Sequence, residues 1–99
     1  MDDFITVFAT GSTITTGAAS TSITIPVAND GNYPRYVRVA ATAACYVKLG
    51  TTAATATAND ILVQPADAVI LHVPNGVTKI AAIQDAAAGK CNVIPLDNL

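Results

Sequence analysis

Cys45-Tyr46-Val47-Lys48-Leu49 decides the fold. Apolar and polar residues alternate one by one, so an extended chain puts Cys45, Val47 and Leu49 on one face and Lys48 on the other. Outward from this run the pattern recurs. Tyr36-Val37-Arg38-Val39 turns Arg38 outward, and Ser22-Ile23-Thr24-Ile25-Pro26-Val27 sets Ile23, Ile25 and Val27 on one face against Thr24. Val69-Ile70-Leu71-His72-Val73, Lys79-Ile80-Ala81-Ala82-Ile83 and Cys91-Asn92-Val93-Ile94 follow, with Phe4-Ile5-Thr6-Val7-Phe8 and Ile61-Leu62-Val63 as weaker members. About eight short strands at this spacing predict an all-β fold. The expected architecture is one antiparallel β-sandwich, with a jelly roll as its specific form and a barrel as the near alternative.

The segments between the runs carry turn chemistry. Asn29-Asp30-Gly31-Asn32 combines three residue types that tolerate positive φ. Val73-Pro74-Asn75-Gly76 predicts a hairpin between two apolar runs, with further hairpins at Asp85 to Gly89 and at Gln64-Pro65-Ala66-Asp67. The three alanines 86–88 are too few to stand as a helix. Gly50 to Asn59 is a Thr/Ala stretch that reads either as an edge strand or as an exposed loop. Residues 1–20 read as a partly extended N-terminal arm, either disordered or ordered by adding a strand to a neighbouring sheet, and residues 21–99 as the β-sandwich domain.

Composition narrows the function. The chain has 99 residues, enough for one domain and one core. Charged residues make up 12 % against 52 % hydrophobic ones, where ordinary domains carry about 25 % charge. The surface must therefore be built from Thr, Ser, Asn and Ala, which protect poorly against association. Such a surface suits a subunit covered by partners, including copies of itself. The five basic residues are scattered and the net charge is −2, so nothing is arranged to neutralise phosphates and nucleic acid is not an expected partner. All seven acidic residues are Asp, which favours turns over helix interiors. Phe4 to Asn29 is uncharged, but its Thr, Ser, Gly11, Gly17 and Pro26 are wrong for a lipid-facing helix, and Asp2-Asp3 is wrong for the start of a signal peptide. Neither membrane insertion nor export is expected; assembly in the cytoplasm is.

Residues for catalysis are sparse. His72 is the single histidine, and nothing nearby in sequence supplies the partner that a general base needs. Two cysteines and one histidine spread from 45 to 91 do not make a zinc site, and Asn29 to Asn32 lacks the ligand pattern of a calcium loop. Serines occur only at 12, 20 and 22, away from any nucleophile motif. The expectation is a protein that is not an enzyme and uses no cofactor or metal. Cys45 and Cys91 either pair, or serve as two small buried hydrophobes in a reducing compartment. Tyr33-Pro34-Arg35-Tyr36 places aromatics beside a cation, as a sugar-stacking platform would, but without Trp the tyrosines read first as caps on the core with their hydroxyls in water. With Phe4 and Ile5 of the arm, Tyr33, Arg35 and Tyr36 are the candidate partner contacts.

The stretch from Tyr36 to Pro95 resembles small virion proteins of tailed bacteriophages, of the head-decoration, cement or fibre kind. The resemblance rests on Tyr46-Val47-Lys48-Leu49-Gly50, the Thr/Ala stretch to Asp60, and Ile61-Leu62-Val63-Gln64-Pro65-Ala66. It continues in Val73-Pro74-Asn75-Gly76-Val77-Thr78-Lys79-Ile80-Ala81-Ala82-Ile83 and ends in Cys91-Asn92-Val93-Ile94-Pro95. It implies adhesion to a protein lattice, with major capsid protein or other virion subunits as partners, a homo-oligomeric state and a place in the virion. It transfers no catalytic residues. Attachment through a strand donated by residues 2–20 is one form this adhesion would take.

Overall fold

The computed structural model describes residues 10–52 and 54–96. Eight strands form in the order β1 (Ser12–Thr15), β2 (Thr21–Thr24), β3 (Tyr36–Ala41), β4 (Cys45–Gly50), β5 (Ile61–Val63), β6 (Val69–His72), β7 (Lys79–Gln84) and β8 (Lys90–Pro95). They make two four-stranded sheets, ordered β1-β8-β3-β6 and β2-β7-β4-β5, with every pairing antiparallel. The sheets face each other across one core. The first contributes Ile14, Val37, Val39, Cys91 and Val93, and the second Cys45, Val47, Val63, Ile80 and Ala82. The alternation read from the sequence is what fills this layer. Val37 and Val39 are buried while Tyr36 is exposed, and Cys45 and Val47 are buried while Lys48 is exposed. Each fully buried Val or Ile is worth about 1.5–3 kcal/mol of transfer free energy.

The pairings follow one rule. β1 lies on β8, β2 on β7, β3 on β6 and β4 on β5. These are the partners of a single long hairpin whose two arms run from β1 to β4 and from β5 to β8. The extra pairings β3·β8 and β4·β7 roll that hairpin up and split it into two sheets.

Several expectations need correcting. The turns at 74–76, 85–89 and 64–67 exist, but they do not close hairpins. Each joins a strand of one sheet to a strand of the other. Turn chemistry reports where the chain reverses and is silent on which strand accepts its hydrogen bonds. Gly76 and Gly31 adopt φ of 91° and 82°, the left-handed region that lacks a penalty only for glycine. Val27, expected to face inward, is 45 % exposed. β2 ends at Thr24, Ile25 N–H still donates to the Thr78 carbonyl, and Pro26 then has no N–H to continue the ladder. Within the segment read as an arm, residues 12–15 are β1 itself, paired with β8 of the same chain, and Ile14 lies in the core. Phe4, Ile5 and the strand expected at Phe4 to Phe8 fall outside the described residues.

The Thr/Ala stretch is a loop, not an edge strand. It lies against the outer side of the second sheet, where Ala54 and Ala56 pack on Ala81 beside Ile83. Ala56 N–H donates to Ser20 Oγ at 2.9 Å. Thr57 N–H and Oγ1 both donate to Asp60 Oδ2, at 2.7 and 3.1 Å, closing the turn that returns the chain to β5. Alanine is suited to this role because a small side chain lets a backbone lie flat on a sheet.

On the same sheet Tyr46 Oη donates to Asp85 Oδ1 at 3.1 Å. That hydrogen bond, with burial and the carboxylate charge behind it, pushes the Tyr46 phenol above its ordinary range. The folded state holds this proton more tightly than the unfolded state. The contribution is therefore full below the ordinary phenol range and fades as pH rises through the raised value. Asp85→Asn is expected to move the Tyr46 ring resonances to a lower titration midpoint by NMR, and an unmoved midpoint would show that the contact does not persist in solution.

Candidate functional site

Register builds the site. Tyr36 stands opposite His72 and Val37 opposite Leu71, so the segment before β3 runs beside the segment after β6. Val73 N–H donates to the Arg35 carbonyl at 2.7 Å and ties the two segments together one step beyond the ladder. Between them opens a groove of about 530 Å³, walled by Tyr33, Pro34 and Arg35 on one side and by residues from His72 to Thr78 on the other. Pro34 is fully buried and anchors its side. The opposite wall is the Pro74-Asn75-Gly76 turn, closed by Val77 N–H to the Pro74 carbonyl at 3.1 Å, while Thr78 Oγ1 donates to the Thr51 carbonyl at 3.1 Å.

Tyr33, Arg35 and Tyr36, singled out from sequence, are all exposed here, and the fold adds His72 and Asn75 to them. Tyr36 leans on His72 across the strand pair, ring centroids 5.4 Å apart and tilted by 49°. Arg38 and Ile70 are the next opposed pair on the same outer face, and Ile70 is 52 % exposed. An apolar strip thus runs from the groove's rim at Tyr33 over Tyr36 and His72 to Ile70, on the edge strand β6. Ile61 and Leu62 are also exposed, on β5, the edge strand of the other sheet. An edge strand offers unpaired backbone groups as well as side chains, so this side of the molecule presents both kinds of contact.

The arrangement lies open at the surface. It offers aromatic faces, one guanidinium, one imidazole and an amide around an open groove, the features that anchor interfaces. Among the described residues no cluster of three His, Cys, Asp or Glu side chains is placed to hold a metal ion. Sequence reasoning reached one wall of the groove because its residues are contiguous. Ile70 was legible too, since alternation turns it outward with His72. The other wall depends on a pairing between residues 36 apart, for which a single sequence carries no signal. Comparison of the chain with protein-family models, with curated proteins and with solved structures finds no match.

Proposed function

We propose that this chain is a non-enzymatic structural protein of a tailed-bacteriophage virion, a head-decoration or cement protein that binds across neighbouring major capsid subunits. The carrying observation is the exposed strip Tyr33, Tyr36, His72 and Ile70 beside the edge strand β6, on a chain with only 12 % charged residues. A protein that stays alone in solution usually keeps such a strip small or screens it with charge. The rolled hairpin of two four-stranded sheets fits a jelly roll, an arrangement used by viral capsid and lectin domains, and supports the reading by analogy of fold. Clamping is the mechanism. Many copies, each bridging subunits, add their binding free energy to the shell and raise the work needed to expand it.

The test is to mix the protein with undecorated shells of the source virus and follow binding and shell melting. Saturable binding with a raised shell melting temperature is expected; indifference to shells would remove the cement reading and leave a tail or fibre position. Ile70→Asp is expected to weaken shell binding by about tenfold or more. Because Ile70 is exposed, the fold should lose no more than about 0.5 kcal/mol. Undiminished binding by this variant would place the contact on another face.

The groove favours a second reading, a carbohydrate-binding sandwich of the adhesin type, because Tyr33 and Arg35 form one wall with His72 and Asn75 opposite. It predicts glycan retention that is lost in Tyr33→Ala. A glycan screen without binding would dispose of it.

A further inference from the structure

Cys45 and Cys91 begin in different sheets and meet in the core. Cys91 is the second residue of β8 and stands opposite Ala41, the last residue of β3. Only residues 42–44 separate Ala41 from Cys45, the first residue of β4. This short arch crosses from one sheet to the other. It is pinned to the first by Thr42 N–H to the Lys90 carbonyl at 2.9 Å and by Lys90 N–H to Thr42 Oγ1 at 2.8 Å. Asp85 N–H to the Ala44 carbonyl, at 3.1 Å, pins it to the end of β7. Gly89 leaves no room for a side chain, since a Cβ there would stand 2.8 Å from that of Ala43. The sheets are therefore held together at this end of the sandwich. Both cysteines are fully buried in the one core cluster, and neither is bonded to another sulfur.

We propose that Cys45 and Cys91 are a disulfide-forming site that staples the two sheets, made and broken by exchange with a small-molecule disulfide of the glutathione type. In the first step Cys45 loses its proton to solvent and its thiolate attacks one sulfur of the disulfide. A mixed disulfide forms and one glutathione thiolate leaves, taking up a proton. Cys91 then loses its proton to solvent, attacks the Cys45 sulfur and expels the second glutathione. The two protein thiols lose two electrons, and the glutathione disulfide gains them as two thiols. Attack by Cys91 first, with Cys45 closing the bond, would give the same products. Because the closed core excludes glutathione, exchange runs through a local opening of the 42–44 arch. Closure needs the two sulfurs to come within about 2.05 Å of each other.

The experiment refolds the full chain from denaturant in glutathione buffers of graded redox ratio, so that slow access to the native core does not decide the result. Free thiols are then blocked and the protein is cut with trypsin. Cleavage after Arg38, Lys48 and Lys90 puts Cys45 in peptide 39–48 and Cys91 in peptide 91–99. The expected product is these two peptides joined, released by reductant, with an oxidised protein that melts on the order of 10–20 °C above the reduced one. Cys91→Ala should remove the redox dependence of melting. Four outcomes would overturn the proposal: two free thiols in oxidising buffer, glutathione adducts alone, cross-linked pairs of chains, or a linked protein that melts lower than the reduced form. The peptide link is read on the unmodified protein, so the test does not depend on the variant folding.

Discussion

Val93→Asp is expected to leave the chain unfolded at room temperature, while Asn92→Asp, one residue away, is expected to change stability by no more than about 0.5 kcal/mol. β8 lies between β1 and β3, with Val93 opposite both Ser12 and Val39. Val93 is 0 % exposed and part of the core shared by both sheets. A carboxylate there forfeits about 1.5–3 kcal/mol of apolar burial. It also meets a desolvation penalty of several kcal/mol, with no cation among the described residues of the core to offset it. Domains are stable by only about 5–15 kcal/mol in total, and a small core lies toward the lower end of that range. Asn92 points the other way. It is half-buried, and its amide makes only a long contact of 3.5 Å to Thr13 Oγ1, which could donate to a carboxylate instead. Far-ultraviolet circular dichroism and denaturant titration of the two variants read the difference directly. If Val93→Asp melted within a few degrees of the parent, the inward face assigned to β8 would be wrong.

That pair of variants tests the feature the sequence displayed most openly. β3, β4, β6 and β8 were legible because alternation over four or more residues forces one face inward, whatever the topology. Val37, Val39, Cys45, Val47 and Val93 all lie where alternation puts them. Topology was not legible. Pro74-Asn75-Gly76 and the residues from Asp85 to Gly89 reverse the chain as expected, but the strands that follow pair with partners far along the sequence, because rolling the hairpin is a non-local outcome. The groove divides in the same way. Tyr33 and Arg35 were visible as neighbours in sequence, whereas His72 and Asn75 reach them only through the β3·β6 register. The loop at 54–56 was ambiguous because alanine fits both a strand and a sheet-covering loop, and burial against Ala81 decided between them.

β1 shows where pattern reading fails, and it carries the second large prediction. Ser12-Thr13-Ile14-Thr15 has a single apolar residue, too few for an alternation to register, so it reads as part of a soft arm. In the fold Ile14 is 1 % exposed and stands opposite Cys91, while the residues on either side of it face outward. Thr16 then locks the strand's end. Its N–H and its Oγ1 donate to the Gly89 carbonyl at 2.9 and 3.1 Å, and Oγ1 accepts from Gly89 N–H at 2.9 Å. Ile14→Ala is therefore expected to cost about 2–5 kcal/mol. Melting should fall by on the order of 10–30 °C, against no more than about 0.5 kcal/mol for the exposed neighbour Thr13→Ala. A neutral Ile14→Ala would show that residues 12–15 do not contribute to the core. The outcome also governs how attachment to a shell can be tested. Deleting residues 2–20 removes β1, Ile14 and the Thr16 lock, so lost shell binding would report a damaged sandwich rather than a missing arm. Deleting residues 2–9 spares all three, and only that truncation asks whether the arm itself holds the protein to its partner.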